Sequence, residues 1–257
     1  MTTVVLASKI YSGNQLTIVE EHLKTLLKGL RVQIENIEPT TNNWVKLDLF
    51  GEDEKAALSY IEKEIGLCPK HIENVKKFST LKGYLTDLGE SRDEITADIG
   101  VFSPKILYAV VPLQRLQAQL ADGRKIALLK MVDLYGFLEN MPITIKTTNL
   151  SENHIEAEIA ETQLATYKRW AKSLLDRLII VGASQQEIRR ALKNAKCQSD
   201  ILTVEPIGLF EHAVVCKLGT DAVGLIPKIG KHLQAAKLEA FKPKTLLEFF
   251  GTIHFIK

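Results

Sequence analysis

The chain has 257 residues, of which 46% are hydrophobic and 25% charged, and its formal net charge is +2. That is the balance of an ordinary globular protein with room for two or three domains, not of a disordered or fibrous chain. No apolar run reaches the ~20 residues that span a bilayer. The three cysteines, Cys68, Cys197 and Cys216, contain no CxxC, so neither a disulfide framework nor a zinc ribbon is indicated.

The N-terminal stretch Met1 to Leu6 has no basic segment followed by a small-residue cleavage site. A reducing, cytoplasmic setting is therefore expected. The net charge hides an asymmetry: residues 161–257 carry 15 Lys and Arg against 9 Asp and Glu, whereas residues 1–160 carry 18 against 22. A basic last third on a weakly acidic body is the footprint expected of a polyanion-binding region.

In chain order, residues 1–79 read as β-α-β-β-α. Thr3 to Ala7 is β-branched, and Leu16, Val19, Leu23, Leu26, Leu27 and Leu30 recur at helical spacing. Val32-Ile34-Ile37 and Val45-Leu47-Leu49 alternate as strands on either side of the turn cluster Pro39 to Asn43. Asp53 is placed to cap a helix that stops at Gly66. A strand within Ile72 to Phe78 would complete a ferredoxin-like βαββαβ unit.

Residues 80–160 read as an OB-type β-barrel. Its strands are Leu81 to Thr86, Ile95 to Phe102, Leu107 to Pro112, Lys125 to Val132 and Ile143 to Thr148, with a helix from Gln114 to Leu120 and Ile155 to Ile159 as a closing strand. Such small Greek-key barrels bind oligonucleotides. Residues 161–257 read as a basic α/β domain of two helices, a β-hairpin and a further helix. The first helix runs from Thr162 to about Ile180. The second is opened by a capping box, Ser184 with Glu187. The hairpin is Ile201 to Glu205 and Phe210 to Lys217, and the last helix runs from Thr220 towards Ala236. The fold class is thus α+β in three domains.

Strand parity supplies the candidate site. If Ile95, Ala97, Ile99 and Val101 face inward, then Tyr84, Phe102 and Tyr108 share the outer face with Lys82 and Lys105 nearby. Nucleobases stack on such rings for roughly 1–3 kcal/mol each. In the C-terminal region, Arg189, Lys193 and Lys196 lie at i, i+4 and i+7 with Arg190 beside them, and the preceding helix carries Lys168, Arg169 and Lys172. These two helices followed by a hairpin also fit a winged helix-turn-helix. The bland reading is a solvated helix face. Gly219-Thr220-Asp221 precedes a helix and is expected mainly to cap it. His212 and Cys216 share a strand face but lack ligand partners, and His22, His71, His154 and His254 show no metal spacing. Asp98 and Asp133 form no visible pair. No catalytic motif, metal or cofactor is indicated.

Three segments carry a resemblance: Asp98-Ile99-Gly100-Val101; Pro112 to Leu116 with Gln119 to Gly123; and Glu211 to Lys217 through Gly219-Thr220-Asp221-Ala222. On these the chain resembles an archaeal family of uncharacterised proteins, which implies an archaeal, cytoplasmic protein and supplies no catalytic residues to carry over. The barrel separately resembles those of ribosomal, exosome and RNA-polymerase stalk proteins. The expectation is a non-enzymatic RNA-binding protein of translation or RNA metabolism. Its partner would be single-stranded or ribosomal RNA, with a ribosome or RNA polymerase as the larger assembly and no membrane. The alternatives are a transcription-associated DNA-binding protein and a nucleic-acid-processing enzyme using His212, Cys216 and Asp221.

Overall fold

The computed structural model describes residues 1–251, which fall into two units. One is Met1–Val75 with Ile99–Leu107; the other is Lys76–Asp98 with the chain from Tyr108 onward. Residues 252–257 of the apolar tail, His254 among them, lie outside the described residues. Among the described residues, eight α-helices and a closed five-stranded barrel make the class α+β, and no helix is long and apolar enough to cross a membrane.

In the first unit the chain forms β1 (Thr2–Lys9), α1 (Gln15–Leu26), β2 (Val32–Pro39), β3 (Trp44–Gly51), α2 (Glu54–Glu64) and β4 (Lys70–His71). The first three strands make an antiparallel sheet in the order β1-β3-β2. The α1 stripe buries Val19 and Leu23, and α2 buries Ala57 and Ile61. Asp53 sits at the N-cap of α2, but its carboxylate accepts the Arg31 N–H at 2.8 Å and leaves the helix uncapped by its side chain.

The fourth strand expected within Ile72 to Phe78 is not there. Ile72–Asn74 is one 3₁₀ turn. The edge beside β1 is occupied earlier, by Gly66 to Cys68: the Ala7 N–H donates to the Gly66 carbonyl at 2.9 Å and the Cys68 N–H to the Val5 carbonyl at 2.8 Å. The chain then pairs Lys70 and His71 in parallel with Val101 and Ser103. Gly100 explains part of the Asp98 to Val101 motif. Its φ is +72°, and a Cβ there would overlap the Cys68 side chain.

The barrel strands are β5 (Thr80–Thr86), β6 (Glu94–Ser103, whose residues from Ile99 group with the first unit), β7 (Leu107–Pro112), β8 (Pro142–Ser151) and β9 (His154–Ile159), with α3 (Leu113–Leu120) and α4 (Leu128–Tyr135) between β7 and β8. β5 pairs with β6, β6 with β7, β7 with β9, β9 with β8 and β8 with β5, which closes the cylinder. The β7–β9 pairing is parallel, whereas β5–β6, β5–β8 and β8–β9 are antiparallel. Residues Lys125 to Val132, expected as a strand, lead into helix α4 instead. Leu128, Met131, Leu134 and Tyr135 recur at helical spacing and are buried, and Gly136 ends the helix in the left-handed region at φ +61°.

Beyond the barrel come α5 (Glu161–Ser173), β10 (Arg177–Val181), α6 (Gln185–Asn194), β11 (Ile201–Pro206), β12 (Glu211–Cys216), α7 (Ala222–Gly230), β13 (Lys237–Phe241) and α8 (Pro243–Phe250). The helix expected to run to Ile180 stops at Ser173, and Leu174 turns the chain at φ +56°. Arg177–Val181 is a central strand in an antiparallel sheet ordered β11-β12-β10-β13. That order, with α6 and α7 as the crossovers, is the split βαββαβ arrangement expected for the N-terminal region. The two basic helices are therefore separated by a strand, which overturns the helix-turn-helix geometry. The last helix of the expected domain also ends early, at Gly230, and β13 and α8 follow it.

The two faces of this sheet bury different things. Leu178, Ile180, Val214, Cys216 and Ala240 pack with Ile188, Ala191 and Leu192 of α6 and with Leu225 and Ile229 of α7. On the opposite face, Arg177 and Phe241 meet Trp170 of α5, with ring centroids 5.5 Å apart for Trp170–Phe241 and the guanidinium 5.2 Å from the indole. The aromatic run continues through Tyr167 to Tyr135 at 6.0 and 5.7 Å. Arg177 Nη1 also donates to the Ser173 hydroxyl and the Leu175 carbonyl, both at 2.9 Å, and so holds the end of α5.

Trp170 is 1% exposed and bridges the barrel's α4 layer, through Tyr167, to the sheet. Trp170→Ala is expected to cost about 3–5 kcal/mol of stability, read as a lower denaturant midpoint with the secondary-structure signal intact at zero denaturant. A midpoint unchanged within error would remove the indole from that role.

Candidate nucleic-acid interface

The local sequence fixes α6 firmly. Ser184 Oγ accepts the Glu187 N–H at 3.3 Å, and the Glu187 carboxylate accepts the Ser184 N–H at 2.8 Å, a complete capping box. With Ile188, Ala191 and Leu192 turned to the sheet, the helix must present Arg189, Arg190 and Lys193 to solvent. Lys196 follows at the helix end with φ +55°. All four are exposed. Lys168, Arg169 and Lys172 are likewise exposed along α5, on the side away from Tyr167 and Trp170.

These seven cations share one property. Among the described residues none of them has an acidic side chain within ion-pair distance. Elsewhere Lys24 pairs with Glu20, Arg31 with Glu52 and Asp53, Lys46 with Glu38 and Arg115 with Glu158. Unpaired cations in a row leave their field available to a polyanion. The two rows do not form one patch, however. α6 lies on the Leu178–Ile180 face of the sheet and α5 on the Arg177–Phe241 face, so a full β-layer separates them.

The barrel residues differ in accessibility. Tyr84 is only 3% exposed, so it offers no open stacking face. Parity gave the side of the strand but not its accessibility: Gly83, Tyr84 and Leu85 are buried in succession, as are Ala97 to Val101 opposite. Lys82 is exposed and Tyr108 half-buried, both in the second unit. Phe102 is half-buried and Lys105 exposed, both in the first. Asp98 is buried and Asp133 is ion-paired to Lys130 at 2.8 Å, so these carboxylates form no pair.

The start of α7 is closed to anions. Asp221 accepts the N–H groups of Val223 and Gly224 at 3.2 Å, and Asp176 accepts that of Ala222 at 3.2 Å. Burial pushes the Asp176 carboxyl above its ordinary range. Among the described residues no group of His, Cys, Asp and Glu is arranged to hold a metal. His212 is 3% exposed, and burial drives its imidazole down to about 4, against a hydrogen bond to the Ala183 backbone. Burial likewise pushes the Cys216 thiol up to about 12, far from a reactive thiolate. Both are core residues.

One feature that sequence reading missed is a cleft of about 330 Å³ between α6 and the turn at residues 232–236. Arg190 and Asn194 line it from the helix and His232 and Gln234 from the turn. The helical interval between Arg190 and Asn194 was legible, but the partner turn comes from beyond three further strands and helices of the chain.

A neutral buried histidine has a signature in pH. The folded state binds a proton only near pH 4, the unfolded state near 6.5. His212 therefore costs nothing above pH 6.5 and removes stability as the pH falls from 6.5 towards 4, by on the order of 3 kcal/mol in full. Urea denaturation of the protein and of His212→Gln at pH 7 and pH 4.5 checks this. The variant should lose less stability on acidification, and equal losses would exclude the assignment.

Comparison with known proteins gives a family and nothing about activity. No curated protein matches the chain. Among solved structures, ttk003000868 from Thermus thermophilus aligns with 13% identity and a TM-score of 0.17, over 96% of this chain. The chain spans 42% of the length of that protein. The family models for the DUF2110 N-terminal, central and C-terminal domains match residues 3–71, 75–171 and 175–241. The chain belongs to the DUF2110 family.

Proposed function

We propose that this protein binds RNA without catalysing a reaction on it, in translation or RNA metabolism, and that α6 holds the phosphate backbone. The observation that carries the reading is the unpaired row Arg189, Arg190, Lys193 and Lys196, fixed on a capped helix. Four cations with no internal partner gain most from a polyanion, because they lose no ion pair on binding and release its counterions.

The barrel supports the same reading. Numbered within the barrel, its strands close in the order 1-2-3-5-4, with strands 3 and 5 parallel and helices before strand 4. That is the connectivity of an OB-type barrel, a class that takes single strands across its sheet. Of the two candidate rings in the second unit, Tyr84 and Tyr108, Tyr108 is half-buried and retains access, with Lys82 exposed on the same unit. The partner is single-stranded or ribosomal RNA, presented by a ribosome or an RNA polymerase in a cytoplasmic, archaeal setting. The duplex-DNA alternative loses its main support, since β10 stands between the helices it required. An enzymatic role for His212 and Cys216 is disfavoured by their burial and by the direction in which both are shifted.

Fluorescence anisotropy of labelled RNA oligonucleotides at several salt concentrations tests the reading. Binding should weaken linearly in log K against log salt. Arg189→Ala with Lys193→Ala should flatten that slope by up to about two charges, whatever the sequence of the RNA. Lys168→Ala with Lys172→Ala, over the other sheet face, should change it less. No binding at low salt would overturn the proposal.

A further inference from the structure

The cleft between α6 and the 232–236 turn is built differently from the exposed row beside it. Its floor is made of residues with little or no side chain, Gly182, Ala183 and Ala191, which is what leaves the space open. Gly182 has φ +100°, a conformation that favours glycine. Leu233, Ala235 and Ala236 give it an apolar wall. The backbone N–H groups of Gly182 and Ala183 donate to the Phe210 carbonyl at 2.9 and 3.0 Å, so the floor itself offers no free backbone donor there.

The polar side chains on its rim are chemically one-sided. Arg190 brings a fork of N–H donors, Asn194 and Gln234 bring amides, and His232 an imidazole. Among the described residues none of these four side chains has a hydrogen-bond or ion-pair partner. The only acid on the lining is Glu187, and its Oε2 is held by the Ser184 N–H at 2.8 Å and the Ser184 hydroxyl at 2.7 Å. A recess with an unpaired guanidinium, further unpaired donors and its one carboxylate already tied to a serine suits an anion that accepts several hydrogen bonds at once. Arginine's planar fork matches a phosphate oxygen pair. The volume lies at the lower end of ligand clefts, which sets the ligand at about the size of one nucleotide, with an apolar wall for a ring.

We infer that this cleft binds a phosphomonoester of mononucleotide size, held by Arg190, Asn194, His232 and Gln234. The inference does not rest on strand binding by the exposed row, because a phosphomonoester reaches the cleft either as a free nucleotide or as the phosphorylated end of a strand.

Calorimetric titration of the full-length protein with inorganic phosphate, AMP, and a short oligonucleotide with and without a 5′-phosphate tests it. AMP should bind more tightly than inorganic phosphate. Arg190→Gln should weaken AMP by about tenfold or more, the usual loss when a charge-assisted hydrogen bond goes. Arg189→Gln, on the same helix but outside the lining, should leave AMP affinity unchanged while lowering that for long RNA. A phosphorylated oligonucleotide outcompeting both AMP and its unphosphorylated twin identifies the strand end as the source; AMP binding better than either identifies a free nucleotide. Absence of heat with both phosphate and AMP at millimolar concentration, or AMP affinity equal in wild type, Arg190→Gln and His232→Gln, would overturn the assignment. Melting curves of the variants establish that any loss is not unfolding, and failure of RNA binding alone would leave this site standing.

Discussion

The C-terminal sheet depends on how Arg177 is buried. A guanidinium at 4% exposure in the middle of a sheet is costly unless each donor finds a partner. Here the cation lies over Trp170 at 5.2 Å and Nη1 reaches the Ser173 hydroxyl and the Leu175 carbonyl, while the buried Nε has no hydrogen-bond partner among the described residues, so part of that cost remains. Those partners all belong to the last turn of α5 and the loop that follows it. The arginine can be buried only if α5 ends where it does, and α5 can end there because the arginine satisfies its terminal carbonyls. Desolvation lowers the guanidinium's affinity for its proton but leaves it charged, since arginine starts so high.

From that junction the aromatic run organises the second unit. Phe241, Trp170, Tyr167 and Tyr135 succeed one another at 5.5 to 6.0 Å, mostly edge to face, from the sheet through α5 to the helix before β8. Tyr135 anchors the far end by donating to the Leu120 carbonyl at 2.7 Å. Gly136 then lets β13 approach, because a Cβ there would crowd the Ala240 carbonyl at 3.2 Å. The barrel and the βαββαβ sheet are thus joined by large rings with few rotatable bonds, worth about 0.5–1.5 kcal/mol per pair beyond the area they bury.

Much of this was legible in the sequence, and the failures have physical reasons. Alternation found β5, β6, β7, β8 and β9 because each has one face in the barrel. The capping box at Ser184 and Glu187 found the start of α6 because it is a local pairing. The central strand β10 was lost because all five of its residues are buried, so Arg177–Val181 shows no alternation. Ala171, Leu174, Leu175 and Leu178 also carry the helical spacing of α5 straight into it. Helix α4 was misread for the converse reason: a short apolar run looks like a strand by content, although Leu128, Met131, Leu134 and Tyr135 keep a helical period. At the candidate site, the row on α6 was legible as a helical interval, while the burial of Tyr84 depends on what covers an outer strand face. No period-two rule contains that.

The placement of charge is where fold and proposed function meet. The 15 basic residues of the last third look like one patch when counted along the chain. The sheet separates those of α5 from those of α6, because β10 reverses the chain between the two helices and sends them to opposite faces. A backbone following one row therefore cannot also follow the other without rounding the sheet edge. Helix α6 instead presents two adjacent stripes: Arg189 and Lys193 away from the cleft, and Arg190 and Asn194, also exposed, on its rim, so that Arg190 belongs to both the row and the cleft. One capped helix can in this way offer a sequence-indifferent grip and a recess for a single phosphate group, one helical residue apart. The packing of Ile188, Ala191 and Leu192 against the sheet sets the helix rotation and so the placing of the two stripes.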